Sequence, residues 1–93
     1  MAFFSAPDTL HTWTDAQLLG ALDQDGADAE CVRRFAALLL VEARAAGVQD
    51  VEGAVVAALR DIRALCHGCE RSGLPVRAWV LGVARRRYRL LRT

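Results

Sequence analysis

Nine of the chain's twelve arginines follow Ala58, and six of these, Arg77, Arg85, Arg86, Arg87, Arg89 and Arg92, fall within residues 75–93, a stretch without an acid. A guanidinium keeps its charge at physiological pH and presents a planar fork of donors that fits phosphate and carboxylate. Six of them in one stretch ask for a polyanion or an acidic protein surface. Tyr88 stands among them and offers a flat ring on which an unpaired base can stack. Trp79 offers another, although its place on the apolar side makes it core first.

A second pattern is Cys66-His67-Gly68-Cys69. Two thiols at this spacing form half of a structural zinc site, which His67 or Cys31 would have to extend, or a dithiol able to close to a disulfide. No second ligand pair accompanies them, so the simplest reading of Cys66 and Cys69 is one buried cysteine and one loop cysteine. No metal and no cofactor are expected. The acids between residues 23 and 30 are scattered around a turn and make no paired carboxylate site, and His11 reads as a surface residue. Gly-rich phosphate loops, nucleophile elbows and His-Glu metal motifs are absent from the sequence, which points away from an enzyme.

Positioning such residues falls to helices. Ala, Leu and Val dominate the apolar set, aromatics are scarce, and proline is confined to Pro7 and Pro75. Thr14-Asp15-Ala16-Gln17 is a capping-box pattern that opens a short helix through about Leu22. Asp23-Gln24-Asp25-Gly26 breaks it. Asp28 is placed to cap a second helix that ends at Ala46 before Gly47, with Val32, Phe35, Ala36, Leu39, Leu40 and Ala43 on its buried face. A third helix runs from Asp50 to about Cys66 with Gly68 as its stop, and its apolar stripe is Val51, Ala54, Val55, Ala58, Leu59, Ile62 and Leu65. Residues 66–73 form the longest irregular connection, and Pro75 suits the first turn of the last helix.

At about 100° per residue, Val76, Trp79, Val80, Val83, Leu90 and Leu91 share one arc of that last helix, the expected core side. Arg77, Arg85, Arg86, Arg89 and Arg92 spread over the other half, with Leu81 and Tyr88 embedded among them. Arg87 falls inside the apolar arc, so it snorkels or pairs with an acid of the second or third helix. The expectation is an all-α fold, a compact bundle of three substantial helices plus a short N-terminal one. It occupies residues 14–93, after a loosely ordered lead-in over residues 1–13.

Composition bounds the rest. With 93 residues, 54% hydrophobic and 25% charged, the chain suits one folded domain with a modest core and no roomy catalytic cleft. The net charge of +1 hides a dipole: nine acids and three arginines up to Ala58, nine arginines and two acids after it. Every basic residue is arginine, as a genome rich in G and C would produce. Three cysteines, an odd number, fit a reducing compartment, and neither a signal peptide nor a membrane-spanning run is visible, so a cytoplasmic location is expected.

The order of these helices and the text of the last one resemble region 2 of bacterial sigma factors, of the extracytoplasmic-function type. There a Gly-Ser-rich loop leads into a helix reading roughly Phe-Arg-Ala-Trp-Leu, then Ile-Ala-Arg-Asn, then Leu-Arg. Here Ser72-Gly73 precede Val76-Arg77-Ala78-Trp79-Val80-Leu81, then Val83-Ala84-Arg85, then Leu91-Arg92. Phe35, Ala43-Arg44 and Gly47 fit the upstream helix, and Gln49-Asp50-Val51-Glu52 fits the start of the third. The similarity spans nearly the whole chain, and the last helix is its specific part.

The resemblance implies a transcription-initiation domain. It would contact the β′ clamp region of RNA polymerase through Asp50, Glu52, Val55, Val56 and Leu59, and −10 promoter DNA through Arg77, Arg85, Arg86, Tyr88, Arg89 and Arg92. Two positions depart from the family pattern. Val55 and Val56 stand where the family carries a polar glutamine-glutamate pair, and Arg86 replaces the asparagine after Ala-Arg, exchanging base-edge recognition for phosphate attraction. These departures leave open a second reading, a sigma-like protein–protein module (a regulator or an anti-sigma-binding decoy) that engages a helical partner and recognises no promoter.

Overall fold

A computed structural model describes residues 13–22 and 26–92. Within them lie α1 (Asp15–Leu19), α2 (Ala27–Ala46), α3 (Val51–Leu65), α4 (His67–Ser72) and α5 (Val76–Arg92), and no strand. The expected all-α bundle forms, with three substantial helices, the short leading helix and one further short helix. Residues 1–12 of the expected lead-in, His11 among them, lie outside the described residues, as does Asp23-Gln24-Asp25. Among the described residues no helix is long and apolar enough to cross a membrane.

Helix starts follow local hydrogen bonding. The Thr14 amide donates to Gln17 Oε1 at 2.8 Å and the Gln17 amide to Thr14 Oγ1 at 3.1 Å, closing the expected capping box. α1 is shorter than expected and closes at Gly20, with Leu22 still buried beyond it. Asp50 caps α3, its Oδ1 accepting from the Gly53 amide at 3.0 Å. Asp28 does not cap α2. That position belongs to Gly26, at φ 86°, and Asp28 lies within the first turn, where its carboxylate pairs with Arg63 of α3. Gly47, at φ 79°, ends α2 as expected. Pro75 precedes α5, its carbonyl accepting from the Trp79 amide at 3.0 Å.

The connection after α3 is helical, contrary to the expected irregular stretch, and Gly68 stops nothing. The chain passes through Cys66 in right-handed helical geometry into α4, and the Cys69 amide donates to the Cys66 carbonyl at 3.2 Å. Cys66 and Cys69 are both buried, and a helical turn is what puts residues three apart on one side. Gly73, at φ 72°, ends the turn.

The core is built on rows that step by four. α2 buries Ala27, Cys31, Phe35, Leu39 and Ala43; α5 buries Val80, Ala84 and Tyr88, with Trp79 beside them. Such rows interlock in the commonest class of helix packing. α5 lies against both α2 and α3, whose Ala54, Val55, Ala58 and Ile62 face it or α2 from the interior. Ala43, Ala58 and Ala84 are fully buried, and their small side chains let the backbones close up.

This row geometry corrects several expected core positions. Val32 lies on the neighbouring row of α2 and is 43% exposed, and Leu65 is 48% exposed on α3. Two residues beyond Tyr88 the helix has turned so that Leu90 lies about 160° from it, on the opposite side. Leu90 and Leu91, both expected in the core, are accordingly 60% and 45% exposed.

Candidate nucleic-acid and partner interface

The outer face of α5 carries Ala78, Gly82, Arg85, Arg89 and Arg92, all exposed, with Arg77 and Arg86 exposed on its two flanks. Arg77, Arg86, Arg89 and Arg92 make no ion pair among the described residues. Arg85 is steered from below, its Nε donating to Glu42 Oε1 of α2 at 2.7 Å while the side chain stays 59% exposed. Gly82 sits in the open, since a Cβ there would meet nothing within 4 Å. Five arginines thus line a helix face whose middle is low.

Arg87 behaves as its place in the apolar arc implied. It grips Asp61 of α3 with two hydrogen bonds, Nε to Oδ2 at 2.7 Å and Nη2 to Oδ1 at 2.9 Å, in the bidentate geometry that suits a guanidinium. Asp15, Asp28, Glu30 and Glu42 of the chain's first half also pair with arginines. Glu30, itself buried, accepts from Arg33 and Arg34, and Arg34 also reaches Asp15 of α1 at 2.9 Å. The hydrogen bonds from Arg33 and Arg34 hold the Glu30 carboxyl down at about 2. Among these pairs only Arg63–Asp28 and Arg85–Glu42 join the two halves of the sequence dipole, and Arg77, Arg86, Arg89 and Arg92 stay outside them.

Tyr88 is withdrawn from the candidate nucleic-acid set. It is 1% exposed, and its hydroxyl donates to the Leu39 carbonyl at 2.9 Å, so its ring belongs to the core and stacks on no base. Burial, and then the nearby Glu42, push its hydroxyl pKa up. Trp79 is buried as expected, at 9%. Leu81 is half-buried.

The candidate polymerase-facing residues divide. Val55 is 7% exposed and packs in the core, so it is corrected to a structural position: the row Ala54, Val55, Ala58, Ile62 needs an apolar side chain there. Asp50 is engaged as the α3 cap. Glu52 is exposed, Leu59 half-buried, and Val56 47% exposed. Val56 and Leu59 line, with Val32 and Cys31, a cleft of about 180 Å³ between α2 and α3.

Cys66 and Cys69 are free thiols on the wall of a recess of about 500 Å³ between α1, α4 and the start of α5. Among the described residues no three histidine, cysteine or acidic side chains are gathered to hold a metal ion. Burial pushes the Cys31 thiol up to about 11 and raises the Cys69 thiol too, which keeps both protonated and poorly nucleophilic at neutral pH.

Sequence reasoning overlooked Glu42, which steers Arg85 across 43 positions of chain that only the fold closes. Leu65, expected in the core, instead lies half-exposed beside Val83 and Arg86 of α5. Arg87 within an apolar arc signalled either snorkelling or an acid partner on the second or third helix, and the partner is Asp61 of α3. Fold and site together define an all-α bundle whose last helix presents an acid-free, arginine-lined outer face. Compared with known protein families, with curated proteins and with solved structures, the chain matches none.

Proposed function

We propose that the chain is a sigma region-2-like domain of transcription initiation, docking on RNA polymerase through α2 and α3 and laying the −10 promoter strand along the outer face of α5. The observation that carries this reading is the set Arg77, Arg86, Arg89 and Arg92, exposed and without ion pairs among the described residues, on a helix with no acid. Ala78 and Gly82 keep the middle of the face low, so a phosphate backbone can come close between the arginines. With Tyr88 in the core and Arg86 in place of the family's asparagine, the strand is held through its phosphates and not through stacked or edge-read bases from these positions.

Binding of that kind by one small domain is weak and strongly salt-dependent. Titrating single-stranded −10 DNA by fluorescence anisotropy at several salt concentrations tests it. Affinity should fall linearly on a log–log plot, with a slope reduced by about 0.7 for each phosphate-binding arginine removed. Failure to bind even at low salt ends the DNA half of the proposal.

Val56 favours a second reading. An apolar side chain, 47% exposed, stands where the family docks through polar ones, as in a surface remade for another helical partner. In that reading the chain is a sigma-like protein–protein module, a regulator or anti-sigma-binding decoy. Pull-down from the native host separates the two: polymerase subunits support the first, a small regulatory protein the second.

A further inference from the structure

The flank of α5 that carries Arg86 turns away from the outer face toward α3 and α4, and there two recesses adjoin. One, of about 410 Å³, is walled by Leu65, His67, Arg71, Trp79, Val83 and Arg86. The other, of about 240 Å³, is walled by Asp61, Leu65, Val83, Arg86, Arg87 and Leu90. They share Ala64, Leu65, Val83 and Arg86, so they form one groove. Its length follows α5 from Trp79 to Leu90, about 16 Å or three helical turns.

The groove's chemistry is two-sided. Its floor is apolar, with Leu65 48% exposed and Leu90 60% exposed, and both are leucines for which the bundle finds no interior place. Its rims are basic: Arg71 on α4 and Arg86 on α5 are exposed and make no ion pair among the described residues. Its one acid, Asp61, is already held by Arg87. A nucleic-acid backbone would leave the leucines unsatisfied, and a neutral apolar helix would leave the arginines so.

We propose that this groove docks an acidic amphipathic helix of a partner protein, about three turns long, with leucine-like residues on one face and carboxylates flanking them. Its apolar side chains cover Leu65, Val83 and Leu90, and its carboxylates meet Arg71 and Arg86. The proposal does not depend on promoter binding. It does make Arg86 common to both surfaces, so the bound helix competes with any polyanion seated there.

The test uses a labelled 15-residue peptide with leucines at helical spacing and glutamates elsewhere, a scrambled peptide of equal composition, and a glutamate homopolymer of equal charge. The amphipathic peptide should bind about tenfold or more tighter than either control, and Leu65→Glu should remove most of that advantage. Arg77→Glu, on the far flank of α5, should leave the tenfold preference intact. Leu65 is half outside the core, so its variant keeps the wild-type helical circular dichroism spectrum. Equal binding of the three peptides, or an unchanged affinity in Leu65→Glu, would overturn the proposal. So would sedimentation showing wild-type dimers that Leu65→Glu dissociates, because the groove would then belong to a second copy.

Discussion

The Tyr88 hydroxyl donates to the main-chain carbonyl of Leu39 at 2.9 Å, in the interior between α5 and α2. A helical carbonyl has a second lone pair beyond its own ladder bond, and here a phenol from the last helix uses it. The contact goes with the rotation of α5 that buries Val80, Ala84 and Tyr88 and turns Arg85 and Arg89 outward. Tyr88→Phe should cost about 1 kcal/mol in urea unfolding, the loss of one buried hydrogen bond. Tyr88→Ala should cost about 3–5 kcal/mol through the cavity it leaves. If Tyr88→Phe weakened DNA binding without loss of stability, the ring would have to be reassigned to the surface.

Glu30 should govern acid unfolding. Arg33 and Arg34 hold its carboxyl at about 2, below the ordinary 4.5, so the folded state favours the ionised form. Its contribution is therefore complete above pH 4.5 and is lost as the pH falls toward 2. Glu30→Gln should melt at a lower temperature near neutrality and show a shallower decline across that window. Parallel decline of the two proteins, followed by circular dichroism, would show that the pair does not stabilise the fold.

Val55 and Val56 are adjacent in sequence and opposite in consequence. Val55→Asp places a carboxylate in the core and should unfold the domain or lower its melting temperature steeply. Val56→Asp should change stability by no more than about 0.5 kcal/mol, as surface substitutions do. If polymerase or a regulatory protein docks on the α2–α3 cleft as proposed, the same change should reduce its capture. Equal melting of the two variants would contradict their placement.

Gly82 offers a test of close approach on the outer face. Nothing in the bundle requires glycine there, since a Cβ would meet nothing within 4 Å, and glycine inside a helix is weaker than alanine. Gly82→Ala should therefore stabilise the fold by about 0.5–1 kcal/mol. If a phosphate backbone lies against that part of α5, the same change should weaken its binding. Stabilisation with unaltered affinity would move the strand to the arginines at the helix end.

Much of the local structure was legible because its causes are local. Thr14 with Gln17, Asp50 with Gly53 and the left-handed Gly47 act within a few residues, so their helix boundaries can be read from neighbours along the chain. α4 was missed because a glycine and a histidine between two cysteines resemble a loop locally. Burial of both Cys66 and Cys69 then makes a helical turn of it. Within the candidate site, Arg77, Arg85, Arg86, Arg89 and Arg92 face outward as expected, Tyr88 does not, and Val55 follows its place in the apolar stripe and not the partner-facing one.

The sequence by itself determined an all-α fold, several of the helix ends and the concentration of positive charge on the last helix. Those properties rest on backbone caps, periodicity and residue count. Tertiary packing decided the rotation of each helix about its own axis. A wheel allows several apolar arcs for α5, and rows stepping by four on α2 and α5 selected the one through Val80, Ala84 and Tyr88. That selection sealed the tyrosine, turned Leu90 outward, and paired Arg85 and Arg87 with acids far away in the chain. The surface left for a partner is what remained after those contacts formed.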